Sequence, residues 1–198
     1  MITTGQTFEN PVTGERMVFT KTAQDTNGTL LEVEFFIKPH SGRGLPAHIH
    51  MYFDEWFEII AGSSCYTLGK TELTAKAGDV VVLPKRITHL HPWNMGDDEL
   101  HLRQVIQLDP ANMQVLSRVE AFFETTYALA QQGKMGRDGS FKDPLQGVVT
   151  AQAIEPTTYI AGLPIWIQRP LFGVLAPIGK ALGYKAFYPA ASTSPMAL

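Results

Sequence analysis

Gly42-Arg43-Gly44-Leu45-Pro46-Ala47-His48-Ile49-His50, followed by Glu55 and Gly62, is the stretch on which the reading of this chain turns. Residues at i and i+2 of a strand project from the same face, so the imidazoles of His48 and His50 converge. Glu55 comes soon enough afterwards for a short turn to return it to their side. Further along, Gly78, Pro84, Arg86 and His89 frame a second strand. If that strand lies across from the first, His89 completes a set of three imidazoles and one carboxylate. Mixed nitrogen and oxygen donors of this kind suit one divalent first-row transition metal (Fe, Mn, Ni, Zn, Co or Cu), whereas Ca and Mg favour all-oxygen shells. Four protein ligands leave a position open at a five- or six-coordinate ion, which a catalytic metal needs and a closed structural zinc lacks.

Outward from this stretch the chain divides in two. Residues 1–109 read as all-β: short apolar runs alternate with turn residues from Met17 to Leu108. Leu31, Val33, Phe35 and Ile37 alternate with Glu32, Glu34 and Lys38, which predicts one buried and one wet face. Asn10 to Gly14 reads as a turn between two short strands, Gly62-Ser63-Ser64 and Leu68 to Thr71 as hairpin turns, and Val80 to Leu83 as a fully buried strand closed by Pro84. Residues 110–198 read as an α-helical extension packing on the β half or on a dimer partner. Val115, Val119, Phe122, Phe123 and Tyr127 form an apolar stripe over Asn112 to Gln132. A second helix is expected over Leu145 to Ile154 and a third over Ile165 to Leu182, broken or kinked by Pro170 and Pro177, with the helices covering the outside of the β half.

The first stretch resembles the cupin superfamily. Its first motif, G-x5-HxH-x3,4-E-x6-G, is matched by Gly42, His48, His50, Glu55 and Gly62; its second, G-x5-PxG-x2-H-x3-N, by Gly78, Pro84 and His89. Arg86 stands where the second motif has glycine, and Asn94 comes one residue late. The resemblance implies a mainly β fold, a single-domain jelly-roll β-barrel with a C-terminal helical extension, and His48, His50, Glu55 and His89 as metal ligands inside it. Asn10 to Arg16, Gln168 to Leu171 and Gly183-Tyr184 are similar to a subgroup of single-domain bacterial cupins with a helical extension and no assigned reaction.

Composition narrows the function classes. The 198 residues hold 16 Lys and Arg against 19 Asp and Glu, a net charge of -3, so there is no basic excess for a nucleic acid. A single cysteine, Cys65, excludes an internal disulfide and argues against a cysteine zinc site. The Leu163 to Leu182 segment is interrupted by Arg169 and Lys180 and reads as a packed helix, not a membrane span. Met1 to Gln6 lacks the pattern of a secretory signal, and a cytoplasmic protein is expected. The apolar surplus of Ile165, Ile167, Leu171, Phe172, Val174, Leu175 and Ile178 predicts a homodimer.

Pocket candidates follow from position. His91 shares the face of His89 if the strand continues, or else sits at the rim before Pro92. Tyr52, Phe57 and Trp93 are barrel core or pocket wall, and Arg103 is a pocket contact or, more in keeping with its alternation, part of a solvated outer face. Taken together, the expected function is a metal-dependent enzyme, dioxygenase-like or a lyase or isomerase, on a small oxygen-rich molecule, with Glu55 doubling as the catalytic base. The alternative is a non-catalytic small-molecule binding or sensing module.

Overall fold

The computed structural model describes residues 2–43 and 45–192. Ten strands precede the first long helix: β1 (Thr7–Asn10), β2 (Glu15–Lys21), β3 (Leu30–Ile37), β4 (His48–His50), β5 (Glu55–Ala61), β6 (Ser63–Leu68), β7 (Thr71–Lys76), β8 (Val80–Leu83), β9 (His89–Asn94) and β10 (Leu100–Gln107). They are followed by α1 (Met113–Gln131), α2 (Pro144–Ala153), β11 (Thr158–Ile160) and α3 (Ile165–Ala181). The strands form two antiparallel sheets, one ordered β1-β2-β3-β10-β5-β8 and the other β11-β4-β9-β6-β7. This is the expected jelly-roll arrangement with a helical C-terminal region, but the sheets are not closed into one barrel.

The alternation in β3 is borne out, with Leu31, Val33, Phe35 and Ile37 all buried. Strand β10 follows the same rule and points Leu100, Leu102, Gln104 and Ile106 inward. The turn at Asn10 to Gly14 joins β1 to β2, and Gly69-Lys70 joins β6 to β7 as a hairpin. Gly62 is not a hairpin turn: it carries the chain from β5 in one sheet to β6 in the other. Its φ of 85° is open to glycine, and a Cβ there would stand 2.9 Å from the Glu99 carbonyl oxygen. Strand β8 is also corrected. It lies at a sheet edge with Val80 61% and Val82 42% exposed, so its run of β-branched residues marks strand propensity and not burial on both faces.

The helices do not cover the outside of the β half. Leu116, Val119, Phe123 and Tyr127 of α1 belong to the same apolar cluster as the inward residues of β2, β3, β5 and β10. The Phe123 ring meets Phe35 edge-on at 6.2 Å. Asn112 caps α1 by accepting from the Val115 N–H, and Asp143 caps α2 with Pro144 at its first turn. α3 runs unbroken through Pro170 and Pro177, both on its exposed side. Strand β11, which the sequence reading did not anticipate, emerges from the helical half and pairs with β4. The buried Gln168 side chain of α3 holds it, accepting from Ile160 N–H and donating to the Ile160 carbonyl. Among the described residues no helix is long and apolar enough to cross a membrane.

One buried acid lies far from the histidines in sequence. Glu15, at the start of β2, accepts from the Thr13 hydroxyl at 2.6 Å, yet burial pushes its carboxyl up from 4.5 to about 7. The folded chain therefore holds a proton that the unfolded chain releases, and stability falls as pH rises from about 4.5 to about 7, by on the order of 3 kcal/mol. In urea titrations Glu15→Gln should gain stability over the parent at pH 8 and lose that advantage at pH 4.5.

Candidate metal centre

The local chain explains why four imidazoles and one carboxylate meet. On β4, His48 and His50 flank the outward Ile49 and are both buried. Antiparallel pairing of β4 with β9 sets His48 opposite His89. Glu55 opens β5, whose inward series continues through Phe57 and Ile59. The donor atoms of His48, His50, Glu55, His89 and His91 all lie within 4.8 Å of one another.

Each of the three expected histidine ligands is held from behind. Nδ1 of His48 donates to the Pro46 carbonyl at 2.8 Å, and Nδ1 of His89 to the Ile87 carbonyl at 2.9 Å. A carbonyl can only accept, so in the neutral rings the lone pair is on Nε2. Nδ1 of His50 lies 2.9 Å from the Thr158 hydroxyl of β11. Burial first, then the neighbouring imidazoles, pushes His48 well below its ordinary pKa; burial lowers His50 too, against the opposing pull of Glu55. For Glu55, burial alone would raise the carboxyl, but His50 and His91 together outweigh it and hold the group well below the usual carboxylate range.

The result is a buried carboxylate facing imidazole nitrogens that make no hydrogen bond. Nε2 of His50 and of His89 stand 3.2 and 3.5 Å from Glu55 Oε2, and both are buried without a hydrogen-bond partner. Lone pairs facing a carboxylate across such a gap repel unless a cation lies between them, and buried orphan acceptors are otherwise rare. The cluster fits a metal site. Glu55 is itself oriented by Gln104, which donates to Oε1 at 2.7 Å, and by His91, whose Nε2 lies 2.9 Å from Oε2.

The second motif's departures leave this geometry intact. Arg86 takes the left-handed conformation expected of the missing glycine, with φ at 65°, and its N–H donates to the His50 carbonyl. Asn94 is one residue late because β9 carries a bulge: Cys65 and Thr67 of β6 pair with Trp93 and Leu90. The Asn94 amide still ties β9 down, donating to the Ile37 and Asp98 carbonyls.

Residues 35–106 match the family model described as Cupin domain. This stretch is a cupin domain. Solved structures similar to the chain include a predicted oxalate decarboxylase of Thermotoga maritima at 23% identity, covering 48% of this chain and 80% of that one with a TM-score of 0.43. Another is the oxalate decarboxylase of Bacillus subtilis at 21%, covering 52% of this chain and only 27% of that one, TM-score 0.44. A third is a sugar phosphate isomerase of Silicibacter pomeroyi at 17%, covering 48% and 60%, TM-score 0.41. Likenesses at this level bear on no reaction, ligand or partner. No curated protein matches the sequence.

Beside the cluster the cupin domain and the helices line a partly open cavity of about 90 Å³. His48, His50, Glu55 and His91 form one end of it, so His91 lies at the site and not at a surface rim. The other pocket candidates lie elsewhere. Tyr52 is 58% exposed and does not line the cavity. Phe57 is core, its ring centroid 4.9 Å from that of His91. The bulge in β9 takes Trp93 out of the alternation of His89 and His91, and the Arg43 guanidinium lies over its ring at 4.7 Å. Arg103 alternates with the inward residues of β10 and is held by Glu34 at 3.2 Å and Glu58 at 3.0 Å on neighbouring strands. Gln104 and Thr158 were missed. Gln104 carried a usable signal, a polar residue in the inward series of Leu100, Leu102 and Ile106; Thr158 carried none, because its role depends on a strand pairing between distant segments.

Thr158→Val removes the hydroxyl behind His50 at nearly constant volume. Metal affinity, measured by competition with a chromophoric chelator, should fall by about 10-fold or more, while circular dichroism stays that of the parent.

Proposed function

We propose that the chain is a metal-dependent enzyme acting on a small molecule, dioxygenase-like or a lyase or isomerase. In this reading His48, His50, Glu55 and His89 hold one divalent first-row transition metal, residues 1–109 carry the site, and residues 110–198 help to line its cavity. The observation that supports it is the buried pair of unpartnered Nε2 atoms, of His50 and His89, beside the Glu55 carboxylate at the end of a cavity that reaches the cluster. When bound, such an ion supplies Lewis acidity toward a substrate oxygen and, for Fe, Mn, Ni or Cu, redox capacity.

The chain's own groups do the remaining work. Glu55 is ionised and borders the cavity, where it takes a proton from a substrate held there. His91, donating from Nε2 to Oε2, and Gln104, donating to Oε1, aim that carboxylate. The apolar walls exclude water from the transfer. A second reading, a non-catalytic sensing module, draws on the tie from His50 through Thr158 and Gln168 to α3, which links the cluster to a surface helix.

That surface supports a homodimer. Trp166 and Val174 of α3 are 76% and 63% exposed, and Leu171 and Ile178 continue the stripe between and beyond them. Light scattering at micromolar concentration should give a dimer, and Val174→Asp should shift it toward monomer.

Elemental analysis by plasma mass spectrometry on untagged protein tests the main reading. Near-stoichiometric Fe, Mn, Ni, Zn, Co or Cu is expected in the parent and a loss of most of it in His89→Ala, with the fold retained. A chain that takes up no metal even after reconstitution overturns the enzyme reading.

A further inference from the structure

The cavity beside the cluster has two chemically different ends. Beyond the histidines and Glu55 its wall is mainly apolar, built from Leu45 and Ala47 ahead of β4, Val119 and Phe123 of α1, Ile154 just after α2, and Ile160 of β11. Among the described residues no Lys or Arg lines it. Two hydroxyl-bearing residues, Thr158 and Tyr159, belong to the lining, and the Thr158 hydroxyl is already engaged by His50. A charged or polyhydroxylated group pushed against this wall would lose its water and find no partner, which costs several kcal/mol per group. Size sets a second limit: an apolar cavity of about 150 Å³ takes up benzene, and this one measures about 90 Å³.

Resting on the metal-centre reading above, we propose that the substrate is a short-chain acid or enolate whose oxygens are confined to one end. Those oxygens lie at the histidine and Glu55 end, and a hydrocarbon body of about four carbons fills the apolar part. Dicarboxylates, sugars and sugar phosphates are excluded, because each carries a second polar group that would have to face Leu45, Val119 and Phe123. The expected oxygen-rich molecule thus narrows to one that is oxygen-bearing at a single end. The specificity comes from the helical half: α1, α2 and β11 supply most of the apolar wall, and the cupin domain supplies the polar end.

The test is a chain-length series on the full chain. Manganese-reconstituted protein is titrated with straight-chain monocarboxylates from acetate to octanoate, following water-proton relaxation. Affinity should rise about threefold to fourfold per methylene until the cavity is full near butyrate or pentanoate, then stop rising. Succinate, equal in carbon number to butyrate, should bind at least tenfold more weakly. Ala151→Leu narrows the wall and should move the optimum to a shorter chain without changing metal stoichiometry. Equal binding of butyrate and succinate, or an affinity that ignores chain length, overturns the proposal while leaving the metal centre standing. If the protein takes up no metal, the metal-centre reading fails, and the same series is run on metal-free protein with 1-alkanols, whose hydroxyl can donate to Glu55. A chain-length optimum there sustains the one-ended cavity; a flat response sinks it.

Discussion

The carboxylate of Glu55 and the Nε2 atoms of His50 and His89 face one another in a buried space, 3.2 and 3.5 Å apart. That arrangement persists only because each group is gripped from the far side. Main-chain carbonyls hold His48 and His89, a threonine hydroxyl holds His50, and a glutamine amide holds Glu55. The two sheets bring these supports into register, and the apolar core keeps the sheets in place. Groups held in this way from the far side fit a metal site.

Much of this was legible in the sequence. The spacing of Gly42, His48, His50, Glu55 and Gly62 is a local pattern, and local patterns determine strand faces and turn glycines directly. The alternation in β3 was equally plain. What failed did so for non-local reasons. Val80 to Leu83 looks buried by composition, but whether a strand is central or at an edge depends on neighbours far away in the chain. Trp93 was a candidate for the core or the pocket wall, and a bulge takes it out of the alternation of His89 and His91; Arg103 lies on the outer face that its alternation favoured, held by carboxylates on adjacent strands.

The helical half was the least legible part. An apolar stripe on α1 states that something must cover it, without saying whether the inside or the outside of the sheets does so. The answer depends on the two sheets leaving their mouth open, which the absence of a closed barrel allows. α1 then enters the common core, and the cavity is walled jointly by segments that the sequence presents as separate halves.

The pairing of β11 with β4 bears on how the molecule is made. His50 and Thr158 are 108 residues apart, so the edge of the histidine strand stays open during synthesis until nearly four-fifths of the chain has emerged. Contacts closed across so long a loop form late and slow the whole process. The order of assembly follows: the β-sheets can collapse first, but the binding centre matures only when the C-terminal segment returns to lie beside it. A shortened chain ending before β11 would lack both the strand that covers the β4 edge and the hydroxyl behind His50.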